Sequence, residues 1–377
     1  MKTSPCLPTS SINAPDERKS NIELLRIIAM VMIVAHHFVE HGGFAYAADA
    51  VTLNRLWTQV LSVGGKIGVN VFVLISGYFL VSAPSFRTNR FLRLWGQIFT
   101  YSILSFAVFV LSGAQPFSLK ELATRCLPVT FSLWWFASAY CVLYLLSPFF
   151  NRLLTSFDKG TYQRFLLLLT VCWCLIPTFT GQQLESNDLL WFLYLYALAG
   201  YLRLHGLHVQ AKGSVCLLLA TGVILLTFLS AAIFDVLGTK FPVFGEHATF
   251  FYRIRTLPVL LASVLLLVGF LRIDIGHSRF VNALASATFG VYLLHDDGFV
   301  RTFLWEKLFR NAAYADSALL IPYSLLAIAA VYCGCTIVEL IRRHTLERLF
   351  SAPVEALARW IDRARERILS SRLLQRL

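Results

Sequence analysis

Long apolar runs separated by short polar stretches dominate the chain from residue 22 onward. A bilayer core about 30 Å thick needs roughly 20 residues of helix, so runs of that length are the units to count. We find ten such runs, at 22 to 41, 57 to 81, 94 to 112, 129 to 150, 164 to 181, 187 to 204, 214 to 235, 253 to 272, 280 to 297 and 317 to 341. The pattern predicts an all-α, polytopic integral membrane protein with about ten transmembrane helices.

These runs divide the chain into three parts. Residues 1–20 form a polar N-terminal segment, residues 21–341 form the membrane domain, and residues 342–377 form a basic tail. Ser20 and Glu23 match a capping box at the start of the first helix. Because that helix also contains charged residues, we expect it to be retained rather than cleaved as a signal peptide.

The tail differs from the apolar runs because its apolar residues recur at helical spacing, with arginines on the other faces. This pattern predicts an amphipathic helix on the inner leaflet of the membrane, with a basic disordered end as the alternative. The apolar positions are Val354, Leu357, Ile361, Ala364 and Ile368. Membrane lipids are the expected partner in either case.

Composition strengthens the membrane prediction. Apolar residues make up 57% of the 377 positions and charged residues 14%, an excess of apolar surface that a water-soluble protein could not bury. The net charge of +12 would indicate nucleic acid if the basic residues shared one face. Here they cluster between the apolar runs, so we expect no nucleic-acid partner.

The distribution of lysine and arginine predicts the orientation. With the N-terminus inside, most of the 33 basic residues fall in cytoplasmic segments, and the tail contributes a large share of that excess. An even number of spans places both termini in the cytoplasm. We therefore expect a multi-pass protein of the plasma membrane.

The first span contains ionisable residues, which are costly inside a bilayer unless they are paired or hydrated. Arg26 and His37 are eleven residues apart, which on a helix places them about 20° from the same face and roughly 16 Å apart along the axis. His36 points about 80° away, so His37 is the predicted companion of Arg26. Glu23 lies one turn before Arg26 and is predicted to pair with it.

This pair has a chemical interpretation and an alternative. A histidine accepts a proton from a hydroxyl near neutral pH, whereas an arginine stays charged and binds phosphate or carboxylate. Arg26 and His37 together are therefore typical of a transferase. The alternative is that Arg26 extends to the lipid headgroups while the histidines lie at the opposite interface.

The cysteines do not predict a metal site. Cys172 and Cys174 are two residues apart on a predicted helix, and so are Cys333 and Cys335. Each pair therefore points in nearly opposite directions. We expect no metal ligands among them.

Two motifs resemble acyltransferase family 3 of membrane-bound acyltransferases. The first is the arginine and histidine of the first helix, Arg26 and His37. The second is the run at 64 to 80, in which the matching positions are Gly68, Val69, Phe72, Ser76 and Gly77. Asn70 stands where the family usually has aspartate, and Lys66 lies one turn before it. Weaker similarity includes Arg90, Arg93 and the runs at 133 to 148 and 286 to 295.

The resemblance implies transfer of an acyl group, commonly acetyl from acetyl-CoA, to a hydroxyl of a surface polysaccharide or a lipid-linked sugar. Acyl-CoA is then a donor substrate, and no permanently bound cofactor is expected. His37 would act as general base or acyl carrier with Arg26 aligned below it. Arg90 and Arg93 would bind the CoA phosphates. The expected substrate-side residues are Lys66, Asn70, Tyr292 and His295, and the supporting residues are Glu23, His36 and Ser76.

Two other functions fit an intramembrane cluster of ionisable residues. A transporter or flippase for a lipid-linked saccharide would also line its path with arginine, lysine and histidine, but the sequence contains no internal repeat of the kind that such folds show. A membrane sensor or scaffold would depend on the basic tail. The oligomeric state is left open by the sequence.

Overall fold

The computed structural model describes residues 19–83, 85–206 and 211–370. Within these ranges the secondary structure is entirely helical, as the hydrophobic pattern predicts. The predicted N-terminal segment lies outside the described residues up to position 18, and the end of the tail lies outside them from position 371. The α-helices are α1 (Ser20–Glu40), α2 (Leu53–Val63), α3 (Gly65–Leu80), α4 (Thr88–Leu111), α5 (Leu119–Cys126), α6 (Trp135–Ser156), α7 (Lys159–Thr170), α8 (Ile176–Thr180), α9 (Asp188–His205), α10 (Gly213–Gly238), α11 (Pro242–Glu246), α12 (Leu257–Arg272), α13 (Arg279–Ala285), α14 (Thr288–His295), α15 (Gly298–Thr302), α16 (Leu320–Arg342) and α17 (Arg348–Ser370).

Short turns of other helix types join some of these elements. Segments of π-helix lie at Val171–Leu175, Phe303–Leu308 and Arg343–Glu347, and 3₁₀ turns lie at Phe250–Tyr252 and Asn311–Tyr314. The last π segment joins α16 directly to the tail helix α17. A wide turn of this kind redirects a helix without interrupting it.

Seven helical segments in the described residues are long and apolar enough to cross a membrane. They are Ser20–Glu40, Leu53–Leu80, Thr88–Leu111, Lys159–Thr180, Gly213–Gly238, Pro242–Arg272 and Leu320–Ile368. The three other predicted spans, at 129 to 150, 187 to 204 and 280 to 297, coincide largely with α6, α9 and the pair α13 and α14. The protein is therefore a multi-pass membrane protein, and a total of ten spans stays a prediction.

The start of α1 differs from the predicted capping box. Lys19, rather than Ser20, is the N-cap residue, and the helix start has no side-chain cap. The Ser20 hydroxyl instead donates to Asn282 at 3.0 Å and accepts from the Ser278 amide at 2.9 Å. The prediction was wrong because the start of α13 offers these partners from a distant part of the chain. These two hydrogen bonds of the Ser20 hydroxyl connect the start of α1 to the start of α13.

The span predicted at 57 to 81 consists of two helices, α2 and α3, with a break at Gly64. Helix α1 approaches this break closely. A Cβ atom at Gly64 would collide with Met32, and one at Gly65 would collide with the ring of His36. Glycine at both positions lets the start of α3 contact the histidine-bearing part of α1.

Contacts between distant segments show which chain ends lie together. Ser20 contacts Asn282, and Arg343 donates a hydrogen bond to the Ser286 hydroxyl, so the start of α1 and the end of α16 lie at one end of the bundle. We call this the tail end. His37 of α1 contacts His295 at the end of α14, and we call that side of the bundle the far end.

The tail helix α17 packs against the bundle rather than standing free. Asp362 accepts a 2.5 Å hydrogen bond from Thr88, and Glu355 accepts one of 3.1 Å from Arg93, both on α4. Ala358 is only 4% exposed. Other positions have large apolar side chains that are about half exposed or more, namely Leu349, Phe350, Leu357 and Trp360. Two alternatives were predicted for the tail, an amphipathic helix and a disordered end. The structure shows a helix as far as Ser370.

Candidate active site

A cavity of about 330 Å³ lies between α1, α3, α4, α6 and the pair α13 and α14. It is lined by polar groups at both of its ends and by aromatic and aliphatic side chains between them. Seven residues predicted from sequence line it, namely Glu23, Arg26, His36, His37, Lys66, Ser76 and Tyr292. A concave, largely apolar space with a few polar groups is typical of a small-molecule site.

One wall of the cavity is the face of α1 that carries Arg26 and His37. Both side chains line the same space, as their spacing predicts. Arg26 also forms the predicted ion pair with Glu23, at 2.9 Å. His36 lines the cavity too, although helical geometry turns it away from Arg26, and its Nδ1 lies 3.2 Å from the Ser62 carbonyl.

The tautomer of His37 follows from its neighbours. Nδ1 of His295 lies 2.6 Å from the Val291 carbonyl, which can only accept, so that nitrogen carries the proton. Nε2 of His295 is then an acceptor, and Nδ1 of His37 donates to it at 2.9 Å. In neutral His37 this leaves Nε2 unprotonated. The side chain of His37 therefore brings a free basic nitrogen to the cavity wall.

Three charged or titratable residues beside this pair had no predicted role. Asp296 is 6% exposed, and its Oδ1 lies 3.8 Å from Nδ1 of His37 and 3.4 Å from Nε2 of His41. Arg301 approaches the same oxygen at 3.6 Å. Only the charge of Asp296 at the end of a predicted span could have singled it out, because its neighbours lie far apart in the sequence. A carboxylate at this distance can stabilise a positive charge on the imidazole of His37.

The same group contains a potential metal-ligand set. One donor atom each from His37, His41 and Asp296 lies within 4.8 Å of the others. Two imidazoles and one carboxylate are ligands that suit zinc. The cysteines, which we considered first for metal binding, take no part in this set.

The remaining lining residues add charge and hydrogen-bonding groups. Lys66 has its ammonium 5.6 Å from the centre of the Trp135 ring. The Ser76 hydroxyl lies 3.1 Å from that of Tyr140. Tyr292 packs edge-on against Phe136, with 5.6 Å between the ring centroids. These groups extend the polar lining beyond α1.

Four predicted site residues do not line this cavity. His295 is fully buried behind His37. Asn70 is also fully buried, donates to the Ile254 carbonyl at 3.0 Å and accepts from the Trp191 indole at 3.0 Å. Arg90 and Arg93 are exposed on α4 at the tail end. Arg93 forms ion pairs with Glu347 and Glu355 of the C-terminal segment.

The far end of the bundle is fastened beside the histidine pair. Arg125 of α5 and Asp297 form a 2.5 Å ion pair, with exposures of only 4% and 2%. Asp297 also caps α15 through the Phe299 amide, and the Arg125 guanidinium lies 4.2 Å from the centre of the Phe299 ring. Because Asp297 follows Asp296 directly, this ion pair holds the segment that positions Asp296.

Comparison with known proteins adds one finding. The family model of acyltransferase family 3, described as an acyltransferase domain, matches residues 19–340. Neither the curated proteins nor the solved structures contain a match. The matched range includes every residue that lines the cavity except Arg343.

Proposed function

The chain belongs to acyltransferase family 3, and on that premise we propose that it transfers an acyl group from acyl-CoA to a hydroxyl of a cell-surface polysaccharide or a lipid-linked sugar. Acetyl is the proposed acyl group, and acetyl-CoA the donor. The reaction takes place in the cavity beside His37. The proposed setting is the plasma membrane with both termini in the cytoplasm.

His37 is the proposed general base. Nε2 takes the proton of the acceptor hydroxyl as that oxygen attacks the thioester carbonyl carbon. The carbon–sulfur bond then breaks, and the protonated His37 returns the proton to the CoA thiolate. Asp296 and His295 orient the ring and balance its transient charge.

The donor would enter from the tail end. Arg26, Arg90 and Arg93 are the proposed partners of its phosphates, because guanidinium groups form charge-assisted pairs with phosphate oxygens. The pantetheine arm would then extend along α1 from Arg26 toward His37, over roughly 16 Å of helix rise.

Lys66 and Tyr292 are the proposed acceptor contacts, since both line the cavity. Asn70 and His295 were also expected on the substrate side. Their side chains are fully buried against protein partners, so we propose supporting roles for them. Glu23, His36 and Ser76 keep the supporting role that the family resemblance implies.

One observation supports this proposal above the others. The network from Val291 through His295 leaves Nε2 of His37 unprotonated, and the His37 side chain lines the same cavity as Arg26. A free base at one end and a cation at the other fit a thioester donor with a phosphate-bearing end. A transport path needs no such tautomer control.

Purified protein incubated with radiolabelled acetyl-CoA tests the function. We expect CoA release and label transfer to a membrane extract, with a loss of about 10²- to 10⁴-fold in His37→Ala. His247→Ala is the matched control, because His247 is exposed and does not line the cavity. The control should retain wild-type activity.

The outcomes separate the alternatives. Activity that survives in His37→Ala contradicts the mechanism. Label that stays on the wild-type protein and is lost in His37→Ala identifies His37 as acyl carrier instead of base. No reaction with any acyl-CoA, together with movement of a lipid-linked saccharide across vesicles, favours a transporter.

A further inference from the structure

A second cavity, of about 350 Å³, lies at the tail end of the bundle. It is lined chiefly by polar side chains of α4, of the end of α13 and of the C-terminal segment, namely Arg93, Ser286, Arg343, His344, Glu347 and Arg348. Ser286 and Arg343 also line the first cavity, and Arg343 donates a hydrogen bond to the Ser286 hydroxyl. The two cavities therefore share a wall.

The charge of this second cavity is positive. Arg93, Arg343 and Arg348 bring three guanidinium groups to it, against the single carboxylate of Glu347. Glu347 is shared, because it lies 3.6 Å from Arg93, 3.9 Å from Arg343 and 2.9 Å from the neighbouring Arg342. Glu355, which does not line the cavity, also pairs with Arg93 at 3.1 Å. The Arg348 guanidinium has no ion pair or hydrogen bond within the described part of the chain. The excess positive charge suits an anion with several oxygens.

The residues that make this cavity basic are held in place. The π segment Arg343–Glu347 continues α16 into α17, and α17 is fixed to α4 through Asp362 and Glu355. Arg343 and Arg348 lie beyond residue 340, where the family match ends. The tail therefore supplies two of the three arginines of this cavity from outside the matched domain.

We propose that the first part of the tail, Arg343 to Ser351, forms with Arg93 a binding site for clustered phosphates, and that it holds the nucleotide end of the donor. This inference rests on the proposed function. The pantetheine arm then passes Ser286 into the first cavity, toward His37. The phosphate of an anionic lipid headgroup has the same chemistry, so the test includes both sources.

Equilibrium binding of CoA to the full-length protein in neutral-lipid nanodiscs tests the site. We expect the double variant Arg343→Gln, Arg348→Gln to bind CoA at least about tenfold more weakly than wild type, because charge-assisted hydrogen bonds to phosphate are lost. The double variant Arg359→Gln, Arg363→Gln is the matched control, since it removes the same two charges from exposed positions of α17 outside the cavity. A short acetyl-pantetheine donor, which lacks the nucleotide, should react equally with wild type and the control, and the Arg343→Gln, Arg348→Gln variant should lose less activity with it than with acetyl-CoA.

The results decide between the assignments. Unchanged CoA affinity in the Arg343→Gln, Arg348→Gln variant, with wild type binding CoA, overturns the donor site and leaves the proposed function intact. No CoA binding by wild type overturns the proposed function itself. Native mass spectrometry tests whether an anionic lipid occupies the site instead. If wild type retains such a lipid and the same variant loses it while its CoA affinity is unchanged, the assignment to the donor is overturned.

Discussion

The Asn70 side chain uses both ends of its amide. Its nitrogen donates to the Ile254 carbonyl of the segment before α12, and its oxygen accepts from the Trp191 indole of α9. An aspartate, the usual residue of the family at this position, could accept from Trp191 but could not donate to Ile254 while ionised. The departure from the family pattern therefore has a structural explanation here.

Asn70→Asp should destabilise this protein. The carboxylate would be fully buried and would leave the Ile254 carbonyl without its donor, at a cost of about 2 kcal/mol or more. Thermal unfolding in detergent measures the change. Asn187→Asp, at the exposed N-cap of α9, is the control and should leave the transition almost unmoved. Equal stability of the two variants would contradict the structural role.

In the proposed mechanism, His295 acts on the reaction through His37 and not by contact with the cavity. In His295→Ala, Nδ1 of His37 loses its acceptor, so the ring is free to turn or to change tautomer. We expect kcat to fall about 10²-fold, with little change in KM for the acyl-CoA. Steady-state kinetics of the purified protein measure both quantities.

A conservative variant separates orientation from simple loss of packing. In His295→Gln the amide oxygen can accept from Nδ1 of His37, so part of the activity should return. If His295→Gln and His295→Ala are equally slow and equally stable, His295 does not act by accepting that hydrogen bond.

The sequence revealed one part of this site and not the other, for a physical reason. Arg26 and His37 share a helix, so the period of 3.6 residues relates them directly. His295 lies 258 positions away from His37, and no pattern within a single sequence links positions that only packing brings together. The proximity of Asp296 to His37 was missed for the same reason.

At the scale of elements, the predictions succeeded for long apolar runs and failed at breaks. The span predicted at 57 to 81 corresponds to one candidate membrane span, Leu53–Leu80, but that span has a turn at Gly64 where α1 approaches too closely for a side chain. Hydrophobicity reports burial in lipid or protein, but it does not report how near two backbones come. The capping box at Ser20 failed similarly, because α13 supplied better partners.

The ion pair of Arg125 and Asp297 joins α5 to the start of α15, and its loss should be costly. Asp297→Asn removes the buried carboxylate that balances Arg125, which is 4% exposed, and leaves only partial compensation from the more exposed Glu121. We expect a loss of about 3 kcal/mol in stability, seen as a lower thermal midpoint. Asp49→Asn, an exposed position near the same end, is the control. If the thermal midpoint of Asp297→Asn equals that of the control, this ion pair does not stabilise the far end.

At the scale of the whole molecule, the described chain begins and ends on one side. Ser20 of α1 contacts α13, and Arg343 after α16 contacts Ser286 at the end of α13. An even number of crossings follows from this arrangement. Seven helical segments meet the length and hydropathy needed to cross, so the number ten still depends on α6, α9 and the pair α13 and α14.

The excess of lysine and arginine predicts that the tail end faces the cytoplasm. Basic residues near span ends are retained in the cytoplasm, and the tail end carries Arg343, Arg348 and the arginines of α17. We expect a fluorescent protein fused after Leu377 to fluoresce in intact cells, and a periplasmic phosphatase fused there to be inactive. The same reporters inserted at Lys240, after α10 at the far end, should give the opposite results. Reversed results at both sites would show the opposite orientation. The basic second cavity would then lie outside the cell, where no cytoplasmic acyl-CoA could reach it.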